Sequence, residues 1–119
     1  MKRILLICVL SVSLFSQTVY TLKNTETINE VTMSIDTKKP INGIMKKYYK
    51  TGELNRELQF IDGKGNGISK WYYKTGELKG ELQFKDGQII GSWKEYYRTG
   101  ELKGELPYKN GKGNGIWKE

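Results

Sequence analysis

From Gly43 onward, apolar and polar residues alternate in short bursts, and the bursts return every 24 positions. Ile68-Ser69-Lys70-Trp71-Tyr72-Tyr73 is rich in aromatic side chains, a composition that suits a pleated strand. Lys74-Thr75-Gly76 follows as a three-residue loop, with Gly76 in the left-handed position that closes such a turn. A return strand runs from Glu77 to about Phe84, and Asp86-Gly87 then turns the chain toward the next unit. The same series ends in Asp62-Gly63 one period earlier and in Asn110-Gly111 one period later.

Set in rows, the units are residues 43–66, 67–90 and 91–114, with half a repeat at 115–119. The second and third rows are identical at 14 of 24 positions without an insertion, so the period marks a structural unit. The predicted fold class is all-β, an antiparallel meander or solenoid of stacked 24-residue β-hairpin repeats. A lone hairpin is marginal in water, so each repeat must be stabilised by its neighbours. The loop fixes a register: Tyr73 opposite Glu77, Tyr72 opposite Leu78, Lys70 opposite Gly80 and Ile68 opposite Leu82. One face then carries Ile68, Tyr72, Leu78, Leu82 and Phe84, and the other Trp71, Tyr73, Glu77, Lys79 and Glu81. The matching apolar sets are Ile44, Tyr48, Leu54, Leu58 and Phe60 in the first row, and Tyr96, Leu102, Leu106 and Tyr108 in the third.

The ends differ from the array. Residues 22–42 read as a polar linker in which 22–30 are loose. Val31, Met33 and Ile35 alternate with polar residues there and predict a capping strand. Gly115 to Glu119 is expected to pair as a last strand, with its charges blunting the edge; a truncated member of a longer array is the alternative. Pro107 replaces the Gln59 and Gln83 of the other rows and cannot donate to a ladder.

The first residues carry a different signal. Lys2 and Arg3 precede an apolar run from Ile4 to Phe15, too short at ~1.5 Å per residue to cross a hydrocarbon core of ~30 Å. Residues 1–21 therefore read as a signal peptide, cut after Ser16 or after Thr21, and the protein as exported to a periplasm or secreted. An uncleaved membrane anchor over residues 4–20 is the alternative. Cys8 lies inside the apolar run as a passive residue, which leaves the exported form without a thiol.

Charge and chemistry narrow the function. The formal charge is +7, and removing Lys2 and Arg3 leaves 18 basic against 13 acidic residues. The excess is spread evenly over the repeats, which speaks against a nucleic-acid footprint. Histidine is absent, the serines share no motif, and the glutamates recur with the array rather than forming one pair in a cleft. No catalytic residue, cofactor or metal is expected. Gly63-Lys64-Gly65-Asn66-Gly67 lacks the Lys-Ser/Thr ending and the following helix of a phosphate loop, and reads as an inter-repeat turn. Candidate partner contacts are an aromatic stripe on the face without the aliphatic set: Tyr49, Tyr73 and Tyr97, with Trp71, Trp93 and Trp117. Ladders of Lys46, Lys70, Lys94 and Lys118 and of Glu57, Glu81 and Glu105 should cross the repeats; Lys70 and Lys94 are candidate contacts, and solvated strand faces the plainer reading.

The pattern Gly-x-x-Lys-x-Tyr-Tyr-x-x-Gly-x-Leu-x-x-Glu, followed by Asp-Gly and a further Gly, resembles the MORN repeat variant of bacterial antitoxins of the YwqK type. The resemblance spans residues 43–119. It implies a non-catalytic hairpin array acting as the antitoxin member of a toxin–antitoxin pair, and hence a protein partner, with a toxin as the leading kind. Anionic lipid head groups or cell-envelope polymers are the alternative partners, and a structural envelope spacer the alternative role.

Overall fold

The computed structural model describes residues 17–113 and 117–119, so the apolar run of the expected leader, with Cys8, and the start of the half repeat lie outside the described residues. The strands are β1 (Val19–Tyr20), β2 (Thr25–Ile28), β3 (Val31–Ser34), β4 (Gly43–Tyr48), β5 (Leu54–Ile61), β6 (Lys64–Gly65), β7 (Gly67–Tyr72), β8 (Leu78–Lys85), β9 (Gln88–Tyr96), β10 (Leu102–Lys109) and β11 (Lys112–Gly113). One sheet runs β1-β4-β5-β7-β8-β9-β10-β11, with β6 paired to β5, and β2 and β3 form a separate hairpin. All pairs are antiparallel except β1 with β4. The all-β hairpin array is thus the fold.

Each hairpin closes as its residues require. Gly76 N donates to Tyr73 O and Tyr73 N to Glu77 O, both at 2.9 Å. Gly52, Gly76 and Gly100 sit at φ +103°, +103° and +96°, where a side chain would be strained. Between repeats, Asp62, Asp86 and Asn110 have φ near +50° and start two-residue turns of the type that matches strand twist.

The register follows the expectation for two pairs and then departs from it. Tyr72 lies opposite Leu78, but Trp71 faces Gly80, Lys70 faces Glu81 and Ile68 faces Gln83. Lys79 is an extra, unpaired residue, and Asn55 and Lys103 are its equivalents in the other hairpins. Such a bulge exchanges the faces of everything beyond it. The single apolar face read from the sequence is therefore split. Leu82 and Phe84 share the inner face with Ser69 and Trp71, whereas Ile68, Tyr72 and Leu78 share the outer face with Lys70, Glu81 and Gln83. Burial agrees: Ser69 is fully buried and Leu82 is 6 % exposed, while Ile68 is 50 % exposed. In the first row Leu58 and in the third row Leu106 lie inward in the same way, opposite Met45 and Trp93.

The segment read as a loose linker is ordered. β2 and β3 pair from Thr25–Ser34 to Ile28–Val31, with Asn29 and Glu30 both at positive φ in the turn. The strand expected over Val31–Ile35 forms as β3, but it pairs with β2 and not with the edge of the array, where β1 lies beside β4; Thr32 N donates to Gly63 O at 2.8 Å and Ile41 N to Thr32 O at 3.0 Å. Ile41 is fully buried beneath this junction. At the other end, Lys118 and Glu105 exchange both backbone hydrogen bonds, so the half repeat does pair with β10.

Among the described residues only the β2–β3 hairpin lies over the inner face, at the first repeat, so beyond it that face is covered by its own side chains. A Cβ built at Gly80 would overlap the Trp93 ring, and one at Gly104 the Trp117 ring. Each tryptophan thus lies over the glycine of the preceding repeat. Trp93 also meets Trp71 edge-on, with centroids 4.9 Å apart. At the first boundary the same two positions hold Arg56 and Ser69, joined by an Nε–H to Oγ bond of 2.8 Å. Small faces large at every boundary, with the order reversed once. Gly80→Ala is expected to cost about 1–3 kcal/mol by overpacking, with part of the loss recovered by adding Trp93→Ser. Urea unfolding of the single and double variants measures this, and an unchanged Gly80→Ala protein would remove Trp93 from that position.

Candidate interaction surface

The outer face is crossed by one continuous row of alternating charge. Lys46 pairs with Glu57, Glu57 with Lys70, Lys70 with Glu81, Glu81 with Lys94, Lys94 with Glu105, and Glu105 with Lys118. The two ladders read from the sequence are thus interleaved, so every lysine looks across at glutamate. The bulge makes this possible by bringing Glu81, not Gly80, opposite Lys70.

The glutamates do more than offset charge. Tyr72 Oη donates to Glu57 Oε1 at 2.6 Å, and Tyr96 Oη to Glu81 Oε1 at 2.7 Å. Tyr49 Oη donates to Tyr72 O at 2.6 Å, and Tyr73 Oη to Tyr96 O at 2.7 Å. Each tyrosine of the Tyr-Tyr pair is therefore a cross-repeat latch, the first reaching back to a glutamate and the second forward to a carbonyl. Phenol ionisation is opposed accordingly. The Glu81 carboxylate, then burial, pushes Tyr96 up to about 12; burial, then Glu57, moves Tyr72 well above the ordinary phenol range.

This geometry corrects the aromatic stripe. Tyr49 and Tyr73 are half-buried and committed to the next repeat, whereas Tyr97 is 47 % exposed. Trp71 and Trp93 lie on the inner face with the aliphatic residues, Trp117 packs on Gly104, and Lys70 and Lys94 stand on the outer face. The six aromatic residues therefore form no face apart from the aliphatic set, because the bulge turns Leu58, Leu82 and Leu106 to their side, and Tyr49 and Tyr73 are taken up as latches. Cations accompany the tyrosines at the hairpin tips, with Lys74 5.5 Å from the Tyr49 ring centroid and Arg98 5.2 Å from that of Tyr73. At the same tips, hydroxyls of Thr51 and Thr75 bond Glu53 and Glu77 and hold both carboxyls below their ordinary range.

What the sequence reading did not single out is the apolar content of the outer face. Tyr48, Ile68, Ile90 and Leu102 are all exposed there, between 37 % and 52 %. Their signal was present in the rows, but the uncorrected register assigned Tyr48, Ile68 and Leu102 to the core. A candidate contact surface is therefore this outer face, with apolar residues on both sides of the charge row.

A protein-family model described as the MORN repeat variant matches residues 41–62, 66–86 and 90–110, one span per hairpin and together just over half the chain. No curated protein and no solved structure gives a match.

The latches predict an asymmetry. Tyr73→Phe is expected to cost about 1 kcal/mol, and Tyr97→Phe close to nothing, in chemical unfolding; equal losses would contradict the latch. The raised phenols predict a pH effect with a definite sign. Below pH 10 both folded and unfolded chains hold the Tyr96 proton; between 10 and about 12 only the folded chain does. Stability should fall as pH rises through that window, and Tyr96→Phe should make the fall shallower. An unaltered slope of unfolding free energy against pH would refute it.

Proposed function

The chain belongs to the MORN repeat variant family, and from that premise we propose that it is an exported, non-catalytic module that binds a partner protein, in the manner of an antitoxin or immunity protein. The observation that carries this reading is the outer face, where exposed Ile68, Ile90 and Leu102 flank a row of alternating Lys and Glu. Exposed apolar residues beside ordered charges are what a protein contact uses: area for affinity, sign pattern for register. A membrane surface would instead favour one sign of charge over a wide area. In this row each lysine has a glutamate beside it.

Export rests on the leader pattern at Lys2, Arg3 and the apolar run. β1 favours one of the two cuts: cleavage after Ser16 leaves Val19 and Tyr20 on β4, and cleavage after Thr21 removes them.

The test is a pull-down with the mature protein from cells that make it, beside an Ile68→Asp, Leu102→Asp double variant. One protein retained by the first and lost by the second, with unchanged unfolding, is the expected result. Recovery of no protein, together with binding to anionic vesicles at low salt that the double variant keeps, would overturn it in favour of a lipid or polymer ligand.

A further inference from the structure

The first repeat differs from the others on its inner face. Where they carry Gly80 and Gly104, it carries Arg56. The Arg56 guanidinium stacks 4.2 Å from the Trp71 ring centroid and lies 5.8 Å from that of Phe84. Its Nε is used by Ser69. Among the described residues, no carboxylate lies within ion-pair distance of it, and its two terminal nitrogens make no hydrogen bond. The group is half-buried, and burial alone draws its pKa below the ordinary value. Since no side-chain nitrogen among the described residues is both buried and unpartnered, those two nitrogens open onto solvent, and a guanidinium held by Trp71 and Ser69 with its fork free is placed to take an anion.

The space in front of it is a cleft. The β2–β3 hairpin stands off the inner face of the first repeat and leaves a cavity of about 250 Å³, walled by Leu22, Met45, Leu58 and Phe60, with Thr32 and Arg56. Lys47 lines the same cavity and adds a second positive charge. The opening continues past Arg56 toward Lys64, where Glu30 is the one acidic residue on its wall.

We propose that this cleft binds a small carboxylate carried on an apolar body, the carboxylate on the two terminal nitrogens of Arg56 and the body against Leu22, Met45, Leu58 and Phe60. The planar fork of an arginine accepts both oxygens of a planar carboxylate at once. Four apolar side chains in the wall favour an acid that carries an apolar body over a compact polar anion such as inorganic phosphate. The volume lies below the roughly 300–1,000 Å³ of usual ligand pockets, so it suits one amino-acid-sized group. Two sources present that chemistry, a free short-chain acid or the C-terminal residue of a peptide. The site is independent of the outer face and of the partner-protein reading.

Titration of the full exported protein tests it, read by tryptophan fluorescence and by the Arg56 Nε–H signal in NMR. The probes are hexanoate, hexanamide, a pentapeptide ending in a free leucine carboxylate, and its C-terminal amide. At least one acid is expected to bind roughly tenfold tighter than its amide. Preference for hexanoate assigns a free acid, and preference for the peptide a chain terminus. Arg56→Lys should weaken that acid several-fold, and Arg56→Gly, the residue of the other repeats, should erase the preference. Equal binding of acid and amide by the unaltered protein, or no saturable shift with either acid up to about 10 mM, would overturn the proposal without bearing on the outer face.

Discussion

One unpaired residue in each hairpin, Asn55, Lys79 or Lys103, governs what every other side chain can do. It shifts the return strand by one position relative to its partner, and a shift of one exchanges inside for outside. Because the shift recurs in each repeat, Leu58, Leu82 and Leu106 are brought to the same side, and Glu57, Glu81 and Glu105 to the other. Without it, Lys70 and Lys94 would face Gly80 and Gly104, and Lys46 would face Arg56. The bulge thus creates both the inner apolar face and the alternating outer row.

Given that register, the repeats are joined by contacts that one sheet can make without a second layer. The Tyr-Tyr pair supplies a hydroxyl in each direction, back to Glu57 or Glu81 and forward to a backbone carbonyl. On the inner side, tryptophan rings lie over glycines of the repeat before them. The first two boundaries therefore hold by both kinds of contact, which is how a thin array of nearest-neighbour units gains cooperativity. The boundaries are not interchangeable, since Arg56 with Ser69 fills the first and glycine with tryptophan fills those that follow.

The fold was legible because the period, the turn glycines and the Asp-Gly pairs are all local signals. Gly76 needs its φ wherever the chain goes next, and Asp86-Gly87 reverses the chain by itself. The split of faces was not legible, because Leu78-Lys79-Gly80 reads equally well as regular strand. The only hint was Gly80, whose lack of a side chain makes sense once Trp93 is seen above it. The N-terminal hairpin was missed for a related reason: its turn places Glu30 where glycine would usually announce a reversal. Of the candidate contacts, Lys70 and Lys94 were placed on an accessible face. The aromatic ones could not be sorted from sequence, since a tyrosine that latches and a tyrosine that waits for a partner look identical.

The alternating row has one more property: it penalises misalignment. Sliding any strand by one position against its neighbour would carry its lysine or glutamate to the opposite side of the sheet and leave the opposing charge without its counterpart. The sign sequence that knits the repeats together thereby also locks their alignment, which near-identical units would otherwise leave open to slippage.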